Sequence, residues 1–214
     1  MQLTIANKIT IVRILLIAPY VISLLKMNQY ENGQLLRYTA FAIFLLMCIS
    51  DVVDGYMARV KKQVTRLGSF LDPMADKLLM MSSSILLATP ATAVEGFVLP
   101  TEVAVLIIGK DLLLLLGFLV LYMMIGRVHV VPGVVGKFAA FLQLVMVASI
   151  LIGPEMSKAI GVWPIIVSSM WWTAAALAIL ATMIYLNYGK KVIESEAYSD
   201  DEAASDRTDE NGKQ

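Results

Sequence analysis

The chain has 214 residues, 58% of them hydrophobic and 16% charged, with a mean hydropathy of +0.75. A soluble domain is about half apolar and about a quarter charged, so the composition excludes one and describes a chain dissolved in lipid. Its 17 Lys and Arg balance 17 Asp and Glu, which excludes a nucleic-acid binder with a strongly basic face.

A helix that crosses a bilayer needs about 20 mainly apolar residues. Six such stretches occur, at 9–25, 35–54, 70–88, 98–125, 134–152 and 162–188, separated by polar residues, Gly and Pro. The expected fold is therefore all-α: a polytopic membrane protein with six transmembrane helices. The first stretch follows Lys8 as a secretory leader does its basic start, but Arg13 interrupts it and no small-x-small cleavage pattern follows, so it reads as a retained helix. Cys48, in the second stretch, is the only cysteine, which excludes an intramolecular disulfide and reads as a small buried hydrophobe.

Short cytoplasmic loops collect Lys and Arg. With both termini in the cytoplasm, that side carries Lys8, Arg59, Lys61, Lys62, Arg66, Arg127, Lys137, Lys190 and Lys191, against Lys26, Arg37 and Lys158 outside. The zero net charge hides a second asymmetry. Residues 192–214 hold eight acids and two bases, a net of −6, and residues 1–191 hold 15 bases and nine acids, a net of +6. The division is thus a membrane domain over 1–191 and a disordered acidic tail over 192–214, too poor in apolar residues to repay its ordering entropy.

Four of the nine acids of the body stand where the second stretch ends and the third begins. Asp51 and Asp54 are spaced i,i+3 and Asp72 and Asp76 i,i+4, so each pair lies on one helical face. The short basic connection between them makes the two helices antiparallel neighbours, and both pairs then face one cavity at the cytoplasmic side. A charge at the centre of a membrane helix costs about 2.5–3.5 kcal/mol on insertion scales, and four carboxylates call for compensation by cations. Hard oxygen donors without His or Cys suit Mg²⁺ or Mn²⁺ and not zinc. Gly55, Ala58 and Gly68 beside the acids leave room for a group to approach the backbone. Two other readings stand beside this one. The acids can pair with Arg59, Arg66 and Lys77 as structural ion pairs, or serve a cation or proton transporter. Against the transporter, they gather at one face, and neither broken half-helices nor an inverted repeat is evident.

Asp51, Asp54, Gly55, Ala58, Arg59, Gly68, Asp72 and Asp76 spell D-x2-D-G-x2-A-R-x8-G-x3-D-x3-D. The segment resembles the signature of the CDP-alcohol phosphatidyltransferases at all eight fixed positions, and the six-helix pattern carries the resemblance over most of the chain. The resemblance implies that Asp51, Asp54, Asp72 and Asp76 hold two divalent cations against the diphosphate of CDP-diacylglycerol. It makes Asp76 the base that takes the acceptor's proton, and places Gly55, Ala58, Arg59 and Gly68 around the cytidine and diphosphate. It further implies a homodimer. The expected location is a cell (inner) membrane, and the Lys and Arg asymmetry puts the active site on its cytoplasmic face.

The start, N-K-I-T-I-V-R with Asn7, Thr10 and Arg13, resembles two branches of that family, one using glycerol 3-phosphate as acceptor and one phosphatidylglycerol. Leu71-Asp72-Pro73-Met74-Ala75-Asp76-Lys77 resembles both. Where the branches carry Arg-Glu or Arg-Asp in the fourth helix this chain has Lys110-Asp111, and its fifth helix keeps Lys137 and Gln143 with Ala140 at a position usually Thr. Lys110, Lys137 and Arg127 are the candidates for an acceptor-phosphate pocket, glycerol 3-phosphate being the preferred acceptor. Lysine offers phosphate a point charge in place of arginine's planar fork, and Lys110 with Asp111 can instead be an ion pair inside the bundle. His129, alone in the connection before the fifth helix, and Trp163, Trp171 and Trp172 in the sixth receive no catalytic role.

Overall fold

A computed structural model describes residues 5–60, 66–125 and 134–211, with side chains over 8–53, 71–117, 119 and 135–187. Seven helices follow in order: α1 Ile5–Lys26, α2 Gly33–Val60, α3 Arg66–Ala88, α4 Thr101–Ile125, α5 Val134–Leu151, α6 Gly153–Ala159 and α7 Trp163–Asn211. Among the described residues there is no strand, as the apolar runs led one to expect.

Among the described residues, three spans, Lys8–Lys26, Gly33–Val53 and Trp163–Asn187, are long and apolar enough to cross a membrane. A fourth is made if α5 and α6 are taken as one span bent by 75°. The 70–88 and 98–125 stretches are the helices α3 and α4, the former carrying Asp72, Asp76 and Lys77. The bend has a local cause. Pro154 lacks an N–H and its ring clashes with a preceding carbonyl, so α5 stops at Leu151 and Pro154 sits instead in the first turn of a new helix.

α1 packs against both α2 and α3, α4 against α3 and α7, and α5 against α2 and α7. The turn between α1 and α2 is tight: a side chain on Gly33 would come within 1.9 Å of the Met27 carbonyl, so the first residue of α2 has to be glycine. Between α3 and α4, Gly96 takes a φ of +76°, and the Asn28 amide donates to the Ala91 and Ala93 carbonyls, tying this loop to the end of α1. The core joins Tyr20 and Leu24 of α1 to Phe44 and Met47 of α2, Met80 of α3, Ile107 of α4 and Met146 and Ile150 of α5. Cys48 packs at its edge. Leu15, Ile49, Val52, Val105, Ile165 and Leu186 are exposed. Apolar surface spread over four helices suits a lipid surround and not water.

α7 departs from the expectation for the tail, because its helical backbone continues to Asn211. Glu and Ala recur between Glu194 and Ala204, and both are strong helix formers, so propensity favours helix where composition alone favoured disorder.

Candidate active site

α1, α2 and α3 meet at one end of the bundle, and each contributes polar side chains in otherwise apolar surroundings. Thr10 and Arg13, spaced i,i+3 on α1, are buried. The Thr10 hydroxyl donates to Oδ1 of Asp72 on α3. Arg13 Nη1 donates to Oδ1 of Asp51 on α2 at 2.6 Å. Arg13 is 2% exposed whereas Asp51 is 51% exposed, so this ion pair has a buried donor and an open acceptor.

One turn beyond Asp72 the polar side chains run inward. Lys77 Nζ lies 3.5 Å from Asp76 and 2.9 Å from Asp111 on α4. Asp111 is fully buried, and Oδ1 also takes Lys110 at 3.1 Å. Its other oxygen accepts from Gln143 Nε2 on α5 at 3.2 Å, and Gln143 Oε1 accepts from Lys110 at 3.1 Å. Asp76, Lys77, Asp111, Lys110 and Gln143 thus form a continuous chain from the α3 carboxylates into the bundle. Its inner part is two cations, one anion and one amide with their hydrogen-bonding groups turned on each other, the arrangement a buried charge requires.

The structure therefore brings Asp51, Asp72 and Asp76 to one end of the bundle, but α2 and α3 are not the direct neighbours the short connection led one to expect: among the described residues they do not pack on each other, and α1, which packs on both, lies between them. Asp54, Gly55, Ala58 and Arg59 are in the helical backbone of α2 and Gly68 in that of α3, and their side chains lie outside the described residues. Arg127 and His129 lie outside them altogether. Lys110 occupies the buried pair with Asp111 that the sequence offered as an alternative to acceptor binding. Lys137, on α5, is exposed. Lys77 does what the structural reading of the acids offered, pairing with Asp76, and also reaches Asp111. Gln143, which the sequence marked only as a kept position of the fifth helix, joins Lys110 to Asp111.

Among the described residues no three Asp, Glu, His or Cys side chains stand close enough together to hold a metal ion as they are. The donor set nevertheless fits a hard divalent cation. The described carboxylates belong to helices whose sequence adds Asp54, Asp51 is half open, and Asp76 is 33% exposed.

Residues 3–184 match the family model described as CDP-alcohol phosphatidyltransferase. A CDP-diacylglycerol–glycerol-3-phosphate 3-phosphatidyltransferase of Rickettsia bellii is 32% identical over 187 residues, 86% of this chain and 94% of that protein. The protein of the same name from Bacillus subtilis is 30% identical over 153 residues, 68% of this chain and 75% of that one. A cardiolipin synthase (CMP-forming) from Oryza sativa is 34% identical over 114 residues, 51% of this chain but 33% of the rice protein. With three carboxylates of the signature gathered at one end of an apolar helical bundle and matches spanning most of its length, the chain belongs to the CDP-alcohol phosphatidyltransferase family.

Proposed function

We propose that the protein transfers the phosphatidyl group of CDP-diacylglycerol to glycerol 3-phosphate, giving phosphatidylglycerophosphate and CMP. The observation that carries the reading is the placement of Asp51, Asp72 and Asp76 at one end of an apolar bundle. There a nucleotide can meet them in water while acyl chains stay in lipid. The acceptor is taken from the Rickettsia and Bacillus relatives, which are named for glycerol 3-phosphate and match this chain over more of their own length than the rice protein does. Cardiolipin synthesis, with phosphatidylglycerol as acceptor, is the second reading, and the rice relative favours it.

In this reading the acceptor hydroxyl attacks the phosphorus that carries diacylglycerol, the bond from that phosphorus to the CMP oxygen breaks, and the hydroxyl proton passes to Asp76. Asp51, Asp54, Asp72 and Asp76 would hold two divalent cations, Mg²⁺ or Mn²⁺. When bound, these would neutralise charge gathering on the diphosphate as CMP leaves. Gly55, Ala58, Arg59 and Gly68 would receive the nucleotide end of the donor, a role that rests on their positions in the sequence signature. Lys137 is the better placed of the acceptor-phosphate candidates, being exposed, with Arg127 beside it in the sequence argument. Lys110 would have to leave Asp111 and Gln143 to reach a phosphate, so its part is to hold the buried network.

The reading includes six membrane spans with both termini in the cytoplasm, an active site on that side of a cell (inner) membrane, and a homodimer. The excess of Lys and Arg on the expected cytoplasmic flanks supports the orientation. α4 supports the count, since its 25 residues reach about 37 Å against a hydrocarbon core of about 30 Å.

The test is to give the purified full chain in detergent labelled CDP-diacylglycerol, Mg²⁺ or Mn²⁺, and each acceptor separately. Phosphatidylglycerophosphate from glycerol 3-phosphate is the expected product. A lipid made only from phosphatidylglycerol would replace the first reading by the second.

A further inference from the structure

We propose that Thr10 and Arg13 are positioning residues: two side chains of one helix that fix, on two other helices, the carboxylates of Asp72 and Asp51 in the orientation a divalent cation requires. The proposal rests on reading those two carboxylates as cation ligands.

The geometry is that of a clamp. Thr10 and Arg13 are one turn apart on α1, 1% and 2% exposed, and each meets the carboxylate of a different helix. α1 packs against α2 and α3 alike, so a single rigid element sets the separation of Asp51 from Asp72. A carboxylate has two oxygens and about four acceptor sites. In each contact the donor occupies Oδ1, which leaves the carboxylate further capacity for a cation. Asp51 and Asp72 are both at least partly open. A buried donor holding one oxygen of a partly exposed carboxylate fixes the torsion of a ligand without covering it. Ligand carboxylates are commonly oriented by such outer hydrogen bonds, whose loss lowers metal affinity by about 10–100-fold.

Two features separate this role from ordinary packing. Thr10 meets Asp72 through its hydroxyl, so the methyl-for-hydroxyl exchange in Thr10→Val removes the bond while keeping the shape. Arg13 is a cation beside a cation site, so its charge alone opposes metal binding. Removing that charge should tighten binding if charge is all Arg13 contributes, and weaken it if orientation is the larger effect.

The experiment measures Mn²⁺ affinity by electron paramagnetic resonance on the purified full chain in detergent, without lipid or nucleotide, so that the readout is independent of turnover. Thr10→Val is expected to raise the Mn²⁺ Kd about tenfold or more, with Thr10→Ser restoring it, and Arg13→Gln to raise the Kd as well. If Thr10→Val does not fold, as judged by elution and helical circular dichroism, Thr10→Ala removes the same hydroxyl and carries the same expectation. Wild-type affinity in a folded variant lacking the Thr10 hydroxyl, or tighter binding in Arg13→Gln, overturns the proposal. Asp72→Asn distinguishes the two levels of failure. It should weaken Mn²⁺ binding strongly, and if it binds Mn²⁺ as the wild type does, the cation-site reading is wrong and the positioning role falls with it.

Discussion

The two ends of the bundle both carry a buried arginine paired with an acid, and they use the pair differently. At the end opposite the candidate site, Arg37 of α2 donates to the Leu151 carbonyl and to Glu155 of α6, and the Tyr38 hydroxyl donates to the same Glu155 oxygen at 2.8 Å. One acid there is met by two donors, and the contacts staple α2 to the break between α5 and α6. At the site end, Arg13 meets Asp51 and Thr10 meets Asp72, and the sequence of α2 and α3 adds Asp54 and Asp76. The comparison teaches that a charge in a membrane bundle is not by itself functional. Among the described residues, what distinguishes the site is that its carboxylates, Asp51, Asp72 and Asp76, are all at least partly open.

The largest expected effect tests those carboxylates. Asp76→Asn keeps the shape and removes the base, and should lower the rate of CMP release by about 10²–10⁴-fold, the usual contribution of a positioned proton acceptor. Steady-state release from CDP-diacylglycerol checks it, and substantial remaining turnover would remove Asp76 from that role. At the opposite end, Arg37→Leu should act on stability instead. It removes the staple's cation and should cost on the order of 1–3 kcal/mol, the range for leaving hydrogen-bonding groups unmet. The readout is a lower melting temperature in detergent, with the rate per folded molecule intact at low temperature. A loss of rate without a loss of stability would show that the two ends are not distinct.

Smaller effects sharpen the site itself. Lys137→Gln should raise the KM for glycerol 3-phosphate about tenfold, near 1.4 kcal/mol for one charge-assisted contact, and change kcat little. An unchanged KM would take Lys137 out of the acceptor pocket. The smallest effect is expected from ending the chain at Lys191. If residues 192–214 are separable from the membrane domain, turnover is retained, and lost turnover in a protein that still folds would show that the helical extension of α7 serves the site.

These regions were unequally legible in the sequence. The four carboxylates could be read because spacings of three and four residues place side chains on one helical face whatever the rest of the fold does. Arg13 was visible as an interruption of an apolar run, but its partner Asp51 lies 38 residues away, and periodicity gives the face of a helix and not its neighbour. The same limit hid Gln143, which meets Lys110 and Asp111 only because α4 and α5 carry them to a common depth. Lys110-Asp111 left two readings open in the sequence, and burial of both side chains favours the ion pair. The turn after Leu151 was legible in Gly153-Pro154, but a continuous apolar run from 134 to 152 drew attention to length. Over 192–211, charge and low hydrophobicity argued for disorder while Ala and Glu argued for helix, and the backbone follows the second.

The most direct test of the account is the stoichiometry of one reaction. Purified full-length protein in detergent is given labelled CDP-diacylglycerol and glycerol 3-phosphate, with Mn²⁺ or with a chelator, and CMP and lipid product are measured together. The account predicts equal amounts of CMP and phosphatidylglycerophosphate with the cation and neither with the chelator. CMP released at the same rate in chelator, or no transfer to glycerol 3-phosphate under either condition, would contradict it.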